Sequence, residues 1–267
     1  MRQAQFRQPD NRDWGLPAFT AADIWNDLRQ AAGQVVHHLL THRLQARRLL
    51  RYLAGRVDPV LLSLGSGRTV QPGWVGIDLK KGDRIFRCDL RKRLPLPDAS
   101  VDGMLAEHVL EHFCLDDLPA MLAEAHRVLK PGAPLRIVSP DAAIVAALLQ
   151  GEDSARLHAQ IGFDTRVHGW DPGEDLLELR IANRLAYQFG QHQVLLTGPA
   201  VDRLLTNAGF TGIRQMSMTQ TAYFAEVPGT HLTRFPDSAH EALTVEAIRP
   251  DPTASTPETR RREHASA

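Results

Sequence analysis

Only two cysteines, Cys88 and Cys114, occur in the 267 residues, and they stand in separate segments without C-x-x-C spacing. That scarcity excludes a disulfide-stapled scaffold and suits a reducing compartment. No apolar run is long enough to span a bilayer, and the opening stretch from Met1 to Phe19 is polar and broken by Pro9 and Pro17, unlike a signal peptide. The expectation is a cytoplasmic protein with no membrane anchor. An excess of charge of one sign is missing too: 31 Lys+Arg balance 31 Asp+Glu, so no global field draws the chain to nucleic acid or to an anionic membrane. A small or uncharged partner is expected instead.

What is present is enough apolar material, 43% of the chain, for one full core with appended structure. From Ala21 to Leu53 apolar residues recur at helical spacing (Ile24, Leu28, Val35, Leu39, Leu49, Leu53), with Thr20 as the N-cap. Val60–Leu64 then reads as a buried strand running into Gly65-Ser66-Gly67, and Trp74–Asp78, Arg84–Cys88 and Gly103–Ala106 follow as further strands. Leu115, Leu118, Leu122, Ala125 and Leu129 mark a helix stopped by Pro131-Gly132, before a fifth strand at Leu135–Ser139. Strands alternating with helices predict a parallel α/β sheet. Residues 142–196 read as mixed helix and loop around the Gly169–Gly173 turn, followed by a short helix from Val201 to Ala208 and strands at Gly212–Met218 and Ala242–Ile248. The predicted organisation is an N-terminal helical extension over 1–57, a main domain over 58–249 with an insertion over 141–197, and a disordered tail over 250–267.

The strand ending at Leu64-Gly65-Ser66-Gly67 lets a ligand approach the backbone, because glycine has no Cβ and tolerates unusual dihedrals. In open parallel sheets the crevice at the carboxyl ends of the strands is the usual site, and Asp78, Asp89 and Glu107 all fall there. Asp78 can accept from both hydroxyls of a ribose, and Asp89 from an amino group such as that of adenine. The plainer reading has a tight turn and ordinary capping carboxylates. Farther on, His108, Glu111 and His112 would share one face if the segment were helical, and the string His108-x-x-Glu111-His112 matches the inverted zinc-peptidase pattern. Trp170, Tyr187, Phe189 and Tyr223 are read either as packing of the insertion or as walls of an acceptor pocket. His37, His38 and His42 beside Arg43, Arg47, Arg48 and Arg51 read as a solvated face, and Arg260-Arg261-Arg262 is too short for nucleic-acid binding.

Four stretches, LLSLGSGRTVQPGWVGIDL, CDLRKRLPLPDASVDGMLAEHVLEH, LAEAHRVLKPGAPLRIVSPD and FGQHQVLLTGPAVDRLLTNAGF, together resemble class I S-adenosylmethionine-dependent methyltransferases, close to a bacterial subgroup associated with polysaccharide-biosynthesis clusters. The resemblance implies a Rossmann-like α/β fold, a mostly parallel seven-stranded sheet with the last strand antiparallel. It makes S-adenosyl-L-methionine the cofactor and a small-molecule or carbohydrate hydroxyl or amine the acceptor. Gly65 and Gly67 would line the methionine part, Asp78 the ribose, Asp89 and Leu90 the adenine, with Ser63, Ser66 and Leu79 also at the cofactor and Glu107 and His108 beneath the sulfonium. The usual glycine motif opens with an acidic residue and ends in a third glycine; here Ser63 and Thr69 stand at those places, and only Arg68–Gly73 separates the turn from the next strand. A crossover between parallel strands needs about a dozen or more residues, so the first crossover helix is expected to be lost. In some relatives a Glu/His cluster after the fourth strand holds a divalent metal; here that would be His108, Glu111 and His112, with His192 as a distal ligand. Without a metal, His112 or His192 would serve as the general base. The rivals are a noncatalytic binding module of the same fold and a zinc peptidase.

Overall fold

The computed structural model describes residues 44–252 except Lys81, Ala239 and Glu241, and Phe189 by its backbone alone. The expected N-terminal extension before residue 44, with His37, His38 and His42, and the tail from residue 253 lie outside the described residues. Seven strands form one sheet in the order β3-β2-β1-β4-β5-β7-β6. Strands β1 (Leu61–Leu64), β2 (Trp74–Asp78), β3 (Ile85–Arg87), β4 (Gly103–Glu107) and β5 (Pro134–Pro140) run parallel. β7 (Ala242–Ile248) lies antiparallel between β5 and β6 (Thr211–Met216). This is the mostly parallel sheet with an antiparallel last strand anticipated from the resemblance. The central strands are apolar almost throughout because both faces are covered, whereas β6, at the edge, is mostly exposed and polar.

One face carries the helix over residues 44–54 (α1), α2 (Leu118–Val128) and α6 (Gly198–Asn207). Leu118, Met121, Leu122, Ala125 and Val128 repeat at helical spacing and are buried, so α2 presents one apolar stripe to the sheet. That stripe joins Leu62, Leu64, Val75, Ile77, Met104 and Ile137 in the main core.

The opposite face lacks its usual cover. Among the described residues, the connections over 65–73, 79–84 and 88–102 contain no helix, so the loss expected for the first crossover extends to all three. The β3–β4 connection is held instead by Arg127 of α2, which donates to the carbonyls of Leu94 and Leu96 and pairs with Glu124 and Asp98. Over the bare face lies a strap, residues 217–235 between β6 and β7, whose Met218, Phe224 and Leu232 pack with Trp74, Leu105 and Val138. Arg136 on β5 and Glu246 on β7 face each other in register, almost fully buried, with Nη1 and Oε1 2.6 Å apart. Arg136 also donates to the carbonyls of Met218 and Gln220, and Glu246 accepts from the Ala222 amide, each at 2.7 Å. Both buried charges and three backbone groups thereby find partners together, while Arg136 Nε is left without one.

The 142–196 region is three helices: α3 (Ala142–Gln150), α4 (Ala155–His168) and α5 (Leu177–Tyr187). Asp141 and Ser154 cap the first two, and Gly151 and Gly169 end them in left-handed conformation. Ile144, Val145, Leu148, Leu157, Ile181 and Leu185 give the insertion its own small core.

Replacing Glu246 by Ala strands a buried guanidinium. Urea unfolding should show a loss of about 3–5 kcal/mol, and the cost of Arg136→Met with Glu246→Leu should fall well short of the sum of the single costs. A loss for Glu246→Ala below about 1 kcal/mol would mean that the two strap carbonyls alone suffice for Arg136.

Candidate cofactor and acceptor site

At the carboxyl ends of β1, β2 and β4 lies a cleft of about 460 Å3, lined among others by Gly65, Gly67, Asp78, Leu79, Asp89 and Leu90. Gly65 has φ +57°, and a Cβ there would stand 2.5 Å from Val109 Cγ2, so no larger residue fits this turn. Gly67, at φ +67°, has no atom within 4 Å of where its Cβ would be. Asp78 Oδ2 accepts from the Gly67 amide at 2.8 Å and Oδ1 from the Lys80 amide at 2.7 Å. Each oxygen keeps a lone pair for a further donor. Asp89 is buried and takes a two-pronged contact from Arg91, Nε and Nη2 each at 3.0 Å. Burial pushes its carboxyl up, but the hydrogen bonds and charge of Arg91 outweigh that and hold it below the usual carboxylate range.

Ser63, Ser66 and Glu107 line a second, wider cleft of about 850 Å3. The two clefts share Gly65, Gly67, Lys80 and His108. Glu107 Oε2 accepts from the Thr230 amide (2.8 Å), the Thr230 hydroxyl (3.0 Å) and the His231 amide (3.2 Å), at the start of the short helix α7 (His231–Arg234). Beside it, the Gly229 amide donates to Gln71 Oε1 at 2.7 Å. The strap therefore ends against β4 and the β1–β2 connection. Sequence reasoning singled out Tyr223 within it but did not recognise the segment as a strap; its local turn signal is Pro228-Gly229. Trp170 stacks on His168 within the insertion, and the Tyr223 hydroxyl ties the strap to the Gly212 carbonyl of β6; neither lines these two clefts.

The helix that would carry His108, Glu111 and His112 on one face does not form. His108 follows β4 with φ +54°, its amide donating to the Val138 carbonyl, and only a 3-10 turn covers Leu110–His112. The zinc-peptidase reading, which needs both histidines on one helix, loses its scaffold. The side chains meet by another route. His108 Nδ1 lies 3.1 Å from Glu111 Oε1, and the Ser139 hydroxyl donates to Oε2 at 3.2 Å. Burial pushes the Glu111 carboxyl up, yet its bond to His108 and the charge there bring it below its ordinary value.

The end of the insertion returns to this turn, the Gln193 amide donating to the Glu111 carbonyl at 2.7 Å. One ligand atom from each of Glu111, His112 and His192 then lies within 4.8 Å of the others. His192 Nδ1 is 2.8 Å from the Leu185 carbonyl, and His112 Nδ1 is 3.1 Å from the Gln191 carbonyl. A carbonyl only accepts, so Nδ1 carries the proton in both rings, and Nε2 of a neutral ring is bare. In His192, only 8% exposed, Nε2 is buried without a hydrogen-bond partner. Burial above all holds that imidazole below its usual range, hence neutral at pH 7. His108 bonds Glu111 but stands outside this three-residue set, whereas His112 and Gln193 line the narrower cleft.

The two cysteines report on the cleft. Both line the narrower cleft, but Cys88 is buried, its thiol pushed up to about 11 by burial, whereas Cys114 is exposed beside Gln193. Iodoacetamide labelling read by mass spectrometry should modify Cys114 and spare Cys88. A ligand seated in the cleft should slow the reaction; equal labelling of both thiols would contradict the burial of β3's end.

Residues 40–137 match the family model of a methyltransferase domain. A probable S-adenosylmethionine-dependent methyltransferase of Mycolicibacterium smegmatis is 32% identical over 118 residues, which span 40% of this chain and only 44% of that relative. Among solved structures, an S-adenosylmethionine-dependent methyltransferase from Archaeoglobus fulgidus aligns with TM-score 0.42 and 16% identity over 78% of this chain and 94% of its own. The 1,6-didemethyltoxoflavin-N1-methyltransferase of Burkholderia thailandensis aligns with TM-score 0.39 and 17% identity over 88% and 93%. In sequence, this chain is similar to a methyltransferase domain over residues 40–137 and to a probable S-adenosylmethionine-dependent methyltransferase over 118 residues.

Proposed function

We propose that the chain is a cytoplasmic S-adenosylmethionine-dependent methyltransferase whose acceptor is a hydroxyl or amine of a small molecule or sugar. The observation that carries the reading is the convergence, in one cleft of about 460 Å3, of the Gly65–Gly67 turn, the half-satisfied Asp78 carboxylate and the Asp89-Leu90 pair. Such a donor and acceptor set fits a nucleoside with an aminoacyl tail. Asp78 has lone pairs for ribose hydroxyls, Asp89 keeps acceptor capacity for an exocyclic amine, and Leu79 and Leu90 offer apolar surface to a base. When bound, the cofactor supplies an electrophilic methyl group. The protein's share is alignment and exclusion of water, with the 141–197 insertion selecting the acceptor. His112, which lines the narrower cleft, is placed to take the acceptor's proton, with the buried His192 beside it.

Calorimetric titration with S-adenosylhomocysteine should give micromolar binding that weakens at least about tenfold in Asp78→Ala, which loses two hydroxyl contacts. Absence of binding by the wild type would favour a noncatalytic module of the same fold.

A divalent ion held by Glu111, His112 and His192 is a second reading, favoured by the unpartnered His192 Nε2 and by backbone carbonyls that orient both imidazoles from behind, as ligating histidines commonly are. An ion there would lower the pKa of an acceptor hydroxyl. The visible absorption of added Co2+ should rise to a stoichiometric end point and be lost in His192→Ala; a flat titration leaves the histidines as bases.

A further inference from the structure

The cofactor's methionyl end lacks its ordinary anchors in this chain. Ser63 brings no charge, and no helix follows β1, so the turn has no crossover helix behind it whose N-terminus would attract a carboxylate. The strap fills the space where that helix would pack. Because Glu107 holds Thr230 and His231, the following residues of α7 form a wall of the wider cleft, opposite the glycine turn.

Three permanent cations line that cleft: Arg68 from the β1–β2 connection, Lys80 after β2, and Arg234 from α7. Among the described residues, none of their side chains pairs with a carboxylate; Arg234 lies over the ring of its own neighbour Phe235, 5.3 Å from the centroid. The one carboxylate in the lining, Glu107, already takes three hydrogen bonds from the strap on Oε2. In a chain of zero net charge, this concentration of unpaired positive charge is local, and a cleft so lined favours an anion. It opens into the narrower cleft at Gly65, Gly67, Lys80 and His108, the side on which an aminoacyl tail would leave a nucleoside bound at Asp78.

We propose that Arg234 of the strap, together with Arg68, binds the α-carboxylate of the cofactor's methionyl end, in place of the missing crossover helix. This rests on the cofactor assignment above and deepens it by naming the residues that hold the tail.

The test compares S-adenosylhomocysteine with 5′-methylthioadenosine, which keeps the nucleoside and lacks the amino-acid tail. Both are titrated calorimetrically into wild type, Arg68→Gln, Arg234→Gln and the double variant. Losing charge-assisted hydrogen bonds to a carboxylate should weaken S-adenosylhomocysteine about tenfold or more in the double variant, while 5′-methylthioadenosine changes less than about twofold and so reports an intact fold. Added salt should weaken the former ligand more than the latter in the wild type. Unchanged S-adenosylhomocysteine affinity in the double variant overturns the anchor, leaves the cofactor assignment standing and transfers the cations to an anionic acceptor. Equal weakening of both ligands also overturns it. Failure of the wild type to bind either ligand overturns the cofactor assignment, and the anchor with it.

Discussion

Everything on the site side of the sheet depends on the buried contact between Arg136 and Glu246. Two charges taken out of water cost more than their attraction returns unless their remaining donors and acceptors are also filled. Here most of them are filled by the strap, through the carbonyls of Met218 and Gln220 and the amide of Ala222, although Arg136 Nε stays without a partner. The pair thus does not merely join β5 to β7; it specifies which segment lies over the face that the short crossovers leave bare. An apolar pair at these positions would pack as well against the sheet but would leave three backbone groups without partners, and the strap would have no unique register.

The short connections and the strap form one structural solution. Removing helices from residues 65–73, 79–84 and 88–102 exposes Trp74, Leu105 and Val138, and the strap's Met218, Phe224 and Leu232 cover them. The same removal leaves the glycine turn without a helix behind it, so the wider cleft runs unobstructed from Ser63 to α7. Packing and site geometry follow from one economy of chain length.

The sequence reveals what is local. Buried parallel strands read as short apolar runs, so each core strand is legible to within about two residues, and Asp78 and Asp89 stand out because they close such runs. The stretch from His108 to His112 misleads because spacings of three and four suit a helix. A long-range bond from the His108 amide to Val138 and a left-handed backbone at His108 decide otherwise, and neither leaves a trace in the spacing. The strap is illegible for a related reason: its anchors, Arg136 and Glu246, are 110 residues apart in the chain. A charged residue inside each of two apolar strands was the available sign that they pair. His192 was singled out by its histidine chemistry; what brings it to Glu111 is the fold of three helices that the pattern showed only as mixed.

Glu107 and Glu111, separated by one short turn, divide the work of joining the two appended segments to the sheet. Glu107 holds the strap through its carboxylate, while Glu111 receives the insertion through its backbone carbonyl and meets His112 and His192 with its side chain. The strap faces the glycine turn and the insertion faces the histidines, so the tail half and the acceptor half of the proposed site converge on one stretch of backbone. His108, bonded to Glu111 and with its ring 4.4 Å from that of His231, lies between them. The two segments also meet directly, Phe163 of α4 packing edge-on against Phe235 at the end of the strap, so a displacement of either can reach the other through that contact as well as through residues 107–112. Its left-handed residue and 3-10 turn hold that stretch in a shape that a regular helix, with its side chains on one face, could not supply.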